Sequence, residues 1–225
     1  MAKLRLINLF SKKIGINLQS YAITGMTKEQ EILAVAEDEF YHNGYLATSM
    51  VTVARRAGVT HAMVNYYYRS KEQLFLKILD SHTYSFMENL RPVMREDGDF
   101  IQTLIDVAGY VFDTLNSDRM FPSLILDVIR TAPEMLERYR TSVETFAANT
   151  IGHHSVRLKR EIEAGRIVES TMTEILENIL MLTASPFLMI PTLENVCRLD
   201  TGAIDDYLSR RKDEIARIIR SRYSI

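Results

Sequence analysis

TSMVTVARRAGVTHAMVNYYYRSKEQLF, residues 48–75, decides how the rest of the chain is read. Thr48 can cap a short helix running to about Arg56. Ala57-Gly58-Val59 is a tight turn, with glycine supplying the backbone freedom it needs. Thr60 can cap a second short helix to about Tyr67. Two short helices joined by a three-to-four-residue turn containing glycine form a helix-turn-helix. Val53, Ala54, Val59, Val64 and Tyr68 fall where the two helices must meet, and small residues at 54 and 57 allow close approach. His61, Ala62, Asn65 and Tyr66 are left pointing outward, with Met63 at the margin. A polar and aromatic helix face without acids suits readout of the major groove.

Helical spacing extends in both directions from this core. Upstream, Thr27 and Gln30 form a candidate capping box, and Ile32, Val35, Ala36 and Phe40 line one face. Asn43-Gly44 fits a left-handed helix end. Downstream, Ser70 with Gln73 opens a fourth helix that Pro92 must end. Further helices are expected over Asp99–Asn116, Met120–Arg130, Pro133–Ala164, Thr171–Ile190 and Asp205–Arg222, with Pro186 kinking or stopping the next-to-last. Scarcely a segment alternates at the strand period, so the expected fold is all-α. It comprises a three-helix helix-turn-helix DNA-binding head and a multi-helix body, for which the family resemblance given below implies ligand binding and dimerisation. The expected divisions are a basic extension at 1–25, a head at 26–72 with its motif at about 49–68, and a regulatory body at 73–225.

At 225 residues and 47% hydrophobic, the chain can bury a substantial core. Its net charge of −2 hides a segregation. Residues 45–71 hold Arg55, Arg56, Arg69 and Lys71 without an acid, and residues 1–25 hold Lys3, Arg5, Lys12 and Lys13 without one. Bare positive charge concentrated in short windows points to a polyanion. Arg55 and Arg56 themselves read as a solvated helix end suited to the helix dipole. The extension has three readings: a minor-groove arm, a membrane-surface helix, or residues ahead of a true start at Met26. The last, or an unimportant tail, is preferred. One cysteine, Cys197, excludes an internal disulfide and a thiolate metal cluster, which suits the cytoplasm. No apolar run long enough to span a bilayer is read, so stable membrane insertion is not expected.

His153 and His154 are adjacent and point apart, so they are read as ordinary residues and not as metal ligands. No phosphate loop, nucleophile elbow or paired carboxylate is legible. No catalytic group, metal or cofactor is therefore assigned, and an enzyme is a poor reading.

The same residues resemble the TetR family of bacterial regulators. Gly44-Tyr45, Thr48-Ser49, Val53-Ala54-Arg55-Arg56-Ala57-Gly58-Val59-Thr60, Tyr66-Tyr67-Tyr68 and Ser70-Lys71-Glu72-Gln73-Leu74 follow that family's head in register over residues 28–79. The resemblance implies that His61, Met63, Asn65 and Tyr66 face bases or their flanking sugars. It implies that Thr48, Tyr67 and Lys71 hold phosphates, and Thr60 and Ala62 complete the DNA-facing set. Position 65 is usually tyrosine in the family. Asn65 can instead pair bidentately with adenine, which puts the operator in doubt more than the activity. Ala62 can touch a thymine methyl.

The resemblance further implies a homodimer through Thr171–Ile190 and Asp205–Arg222 on a double-stranded, palindromic operator, acting as a ligand-responsive repressor. Phe112, Met120, Phe121, Tyr139, Phe146, Met181 and Met189 could line a pocket for an apolar effector, although such residues are more often plain core. The competing reading is a helical ligand-binding or scaffold protein whose head no longer reads DNA, which Asn65 would favour.

Overall fold

The computed structural model describes residues 26–95 and 97–225, with backbone alone at 136, 138, 139, 141–147 and 149–151. The extension at 1–25 and the side chains of Tyr139 and Phe146 lie outside the described residues. Among those residues there are nine helices: α1 Lys28–Ala47, α2 Met50–Ala57, α3 His61–Tyr68, α4 Lys71–Leu90, α5 Phe100–Ser117, α6 Phe121–Thr131, α7 Pro133–Glu163, α8 Met172–Asn195 and α9 Thr201–Tyr223. The all-α expectation holds.

Several helix ends follow from their caps. Thr27 and Gln30 make the reciprocal capping box expected of them, with Thr27 Oγ1 accepting from Gln30 N at 3.2 Å. Asp99 accepts from Ile101 N at the start of α5, and Thr171 with Glu174 forms a second capping box on α8. Other ends differ from expectation. Pro186 does not stop α8, which runs on through Pro191 to Asn195. Pro186 and Phe187 are both buried, so packing outweighs the hydrogen bond that proline removes. Asp200 caps α9 and starts it at Thr201, four residues before the expected Asp205.

The chain divides into two compact units, the first comprising residues through Ser85 with Leu124–Thr141, the second Phe86–Ser123 with Ser142–Ile225. The unit holding the helix-turn-helix therefore extends past residue 72. In it, Ile32, Ala36 and Phe40 of α1 are buried, as are Leu74, Phe75, Ile78 and Leu79 of α4. Leu124, Val128, Ala132 and Met135 add a stripe from α6 and the start of α7. Phe40, Tyr45 and Phe75 form its aromatic centre, with ring centroids 5.0–5.9 Å apart. Each such side chain contributes about 1.5–3 kcal/mol by leaving water.

In the second unit α5 packs against α8 and α9, which also pack on each other. Phe112 of α5 meets Phe187 of α8 at 5.1 Å, and Ile204, Leu208, Ile215 and Ile219 of α9 close the core. Arg157 holds the turn before α5 through the carbonyls of Arg95 and Gly98, its guanidinium lying over the Phe100 ring. Two backbone bonds, Val168 N to Tyr223 O and Ile225 N to Arg166 O, join the end of α9 and the residues beyond it to the segment before α8.

Helix α8 is long and apolar enough to cross a bilayer, which the sequence reading did not expect. Its inner side, Ile175, Ile179, Thr183 and Phe187, belongs to the core of the second unit. Its outer side exposes Leu180, Met181 and Met189, so the two methionines line no interior. The single cysteine, Cys197, is exposed just beyond this helix, its amide bonded to Thr192 O.

Candidate nucleic-acid interface

Local chemistry sets the geometry of α2 and α3. Ser49, not the expected Thr48, caps α2 by accepting from Thr52 N at 3.1 Å. Both residue types cap well, and tertiary structure makes the choice. Thr48 is only 3% exposed, and its hydroxyl faces the carbonyls of Glu39 and Gly44 at 3.2 and 2.9 Å. A side chain held this way closes the end of α1, so the phosphate role expected of Thr48 does not fit its position.

After α2 the chain turns at Gly58, whose φ of +65° lies in the left-handed region where glycine meets no Cβ penalty. Thr60 then caps α3, accepting from Met63 N at 3.2 Å. Val53 and Ala54 of α2 and Val64 and Tyr68 of α3 are buried as expected, while Val59 is half-buried. The Tyr68 hydroxyl donates to Glu29 O at 3.2 Å, and burial holds its phenol well above the usual tyrosine range.

The opposite side of α3 is open. His61, Ala62, Met63 and Tyr66 are exposed, Tyr66 at 81%, and Asn65 is half-buried with its amide nitrogen 3.5 Å from His61 Nδ1. Tyr67 is partly exposed and meets Tyr66 edge-on at 5.3 Å. The structure thus brings His61, Ala62, Met63, Asn65, Tyr66 and Tyr67 onto one short helix, behind the Thr60 cap.

Lys71 lies differently from a free surface cation. Its ammonium donates to the carbonyls of Tyr45 and Leu46 at 2.9 and 3.1 Å and sits 4.6 Å over the Tyr45 ring. Partial burial lowers its pKa. These carbonyls belong to the last turn of α1, where lysine complements the helix dipole. One ammonium hydrogen remains for another acceptor.

Sequence reasoning missed the support behind this face. Arg56 forks across two carboxylates of α1, reaching Glu39 at 2.5 Å and Asp38 at 2.6 Å. Hydrogen bonds to Glu39 first and Asp38 second raise its pKa further. Glu39 is buried and also accepts from Asn43 at 2.9 Å. Arg56 is therefore no solvated helix end. The i, i+4 spacing of Glu39 and Asn43 was a usable signal, but the partnership of residues 17 positions apart was not. At the end of α1, Asp127 of α6 accepts from Tyr45 N at 3.2 Å, beside Gly44 with φ +75°. The Tyr45 hydroxyl points to Met135 Sδ at 3.4 Å.

Comparison with known proteins agrees with this geometry. The family model for bacterial regulatory proteins of the tetR family matches residues 32–78. The HTH-type transcriptional activator FasR of Mycolicibacterium smegmatis is 28% identical over 116 residues. That alignment takes in 51% of this chain and 52% of the relative, so the chain spans about half the length of the curated relative it matches. Among solved structures, FadR from Bacillus subtilis in complex with stearoyl-CoA superposes with a TM-score of 0.60 at 16% identity, covering 84% of this chain and 96% of that one. A TetR family transcriptional regulator from Pseudomonas syringae gives 0.55 at 19% identity, covering 89% and 98%. These two show a shared fold, and the family match rests on the head. Over residues 32–78, the chain is similar to the bacterial regulatory proteins of the tetR family.

Proposed function

We propose that the chain is a sequence-specific DNA-binding transcriptional regulator working in the cytoplasm as a homodimer on a palindromic operator. The observation that carries this reading is the outer face of α3: exposed, polar and aromatic, acid-free, and capped at its N-terminus by Thr60. In this reading His61, Met63, Asn65 and Tyr66 meet base edges, with Thr60 and Ala62 beside them. Tyr67 and the remaining ammonium hydrogen of Lys71 reach the backbone. A single head of this size makes few contacts, so two heads on half-sites about 34–36 Å apart, or multiples of that, provide the affinity. The apolar outer side of α8, beside α9, supplies the dimer surface.

The effector is a small apolar molecule and the response is release of the operator, which makes the chain a repressor. The ligand acts by favouring a conformer whose heads are spaced wrongly for DNA, and to do so it must prefer that conformer by several kcal/mol. FasR is named an activator and FadR binds stearoyl-CoA, so a long-chain acyl thioester is the first effector to try. Selection of genomic fragments at stated salt tests the core of the proposal. A palindromic consensus is the expected result. Steeply salt-dependent binding without sequence preference would leave only a basic head. Stearoyl-CoA added to the selected complex, with a promoter reporter, then reads both the effector class and the sign of regulation.

A further inference from the structure

Four cations lie in the acid-free window of residues 45–71, and the structure divides them into two kinds. Arg56 is neutralised within the molecule by Asp38 and Glu39, and Lys71 is drawn onto the carbonyls that end α1. Arg55 and Arg69 are exposed, and among the described residues neither makes an ion pair. Arg55 follows the buried pair Val53-Ala54 on the outer side of α2. Arg69 caps the end of α3 just after Tyr68, one residue before the Ser70 cap of α4. The two arginines thus belong to the two helices of the motif and the cap of the second, and among the described residues neither side chain has a hydrogen-bond or ion-pair partner.

The backbone at Arg69 adds an independent observation. Its φ of +48° with ψ of −38° is a conformation that side-chain-bearing residues rarely adopt, closed by a γ-turn bond from Ser70 N to Tyr68 O. Glycine would fit there without strain. Non-glycine residues held in sparsely populated backbone regions cluster at functional sites, and Arg69 shares its positive φ with Arg198.

We infer that Arg55 and Arg69 are phosphate-binding cations of the head in addition to Lys71, and that Arg56 is a positioning residue that fixes α2 on α1 without touching DNA. This rests on the regulator reading and names residues it had not assigned. Arginine suits the task, since its planar fork stays charged and matches phosphate oxygens in pairs.

Salt dependence separates the two kinds of cation, because each phosphate neutralised adds about 0.9 to the slope of log affinity against log salt. Full-length wild type and the variants Arg55→Ala, Arg69→Gly, Arg69→Lys and Arg56→Ala are titrated with a random-sequence duplex long enough for two half-sites. Their melting temperatures are measured in parallel. Per head, Arg55→Ala and Arg69→Gly each lower the slope by about one. Arg69→Gly keeps or raises the melting temperature, and Arg69→Lys restores the slope. Arg56→Ala lowers the melting temperature and leaves the slope of the folded fraction unchanged. An unchanged slope in Arg55→Ala and Arg69→Gly, a lowered slope in Arg56→Ala, or a clear loss of stability in Arg69→Gly overturns the inference while the regulator reading stands. A wild-type chain that binds no duplex at any salt overturns both.

Discussion

Asn65 and Lys71 lie six residues apart yet should fail in opposite ways when truncated. Asn65 is half-buried on the open face of α3, so Asn65→Ala should change which operator is preferred, by about 1–3 kcal/mol at the affected base pair. Lys71→Ala frees the Tyr45 and Leu46 carbonyls, so it should weaken binding to all sequences alike and lower the melting temperature. Binding-site selection and thermal unfolding on each variant read the two effects, and the reverse pattern would contradict the contact assignment. The outward set on α3 was legible because helical periodicity alone separates Val64 and Tyr68 from the residues between them. The inward turn of Lys71 was not, because it depends on where α1 ends in space. Ionisation gives a further residue-scale test. The Arg166 guanidinium, bonded to Glu161 at 2.6 and 3.1 Å, holds that carboxyl below its ordinary range. A depressed carboxyl stabilises the fold above its unfolded-state pKa, and that contribution disappears as pH falls through the folded-state value. The melting temperatures of wild type and Arg166→Ala should therefore differ near neutral pH and converge below the usual carboxylate range.

Between α1 and α6 the contact is close enough to restrict substitution. A Cβ at Gly44 would stand 2.8 Å from Asp127 Oδ2, on a backbone already at φ +75°. Gly44→Ala should cost about 1–3 kcal/mol from the backbone conformation and the clash together. Asp127→Ala removes the clash but also the acceptor for Tyr45 N, so a double-mutant cycle in urea should show coupling between positions 44 and 127. Additive losses would mean the two elements do not constrain each other. The same neighbourhood shows why element boundaries were only partly legible. Caps written within four residues of sequence, such as Thr27 with Gln30 and Gly58 with Thr60, appear where expected. Where two capping residues adjoin, as at Thr48-Ser49, burial decides between them. Where a proline faces a packed core, as at Pro186, its local preference loses to apolar contact with neighbouring helices.

For the whole molecule, the outer side of α8 is the surface whose disruption should say most. Leu180, Met181 and Met189 are exposed there, Met181 at 56%, while the inner side of the same helix holds the second unit together. Met181→Glu should leave helical content and thermal unfolding of the monomer intact and shift sedimentation from dimer to monomer. Operator affinity should fall with it, because each head would bind its half-site alone. A variant that stays dimeric would move the partner surface elsewhere. Cys197 offers a direct experimental handle. As the sole thiol of the chain, exposed just beyond α8, it accepts one spin label per subunit without prior removal of other cysteines. In an assembled pair the two labels would form a ruler between bodies, and a second label moved to the end of α3 in a cysteine-replaced chain would form one between heads. Comparing the two rulers with and without effector would measure the switch as a change in ångströms.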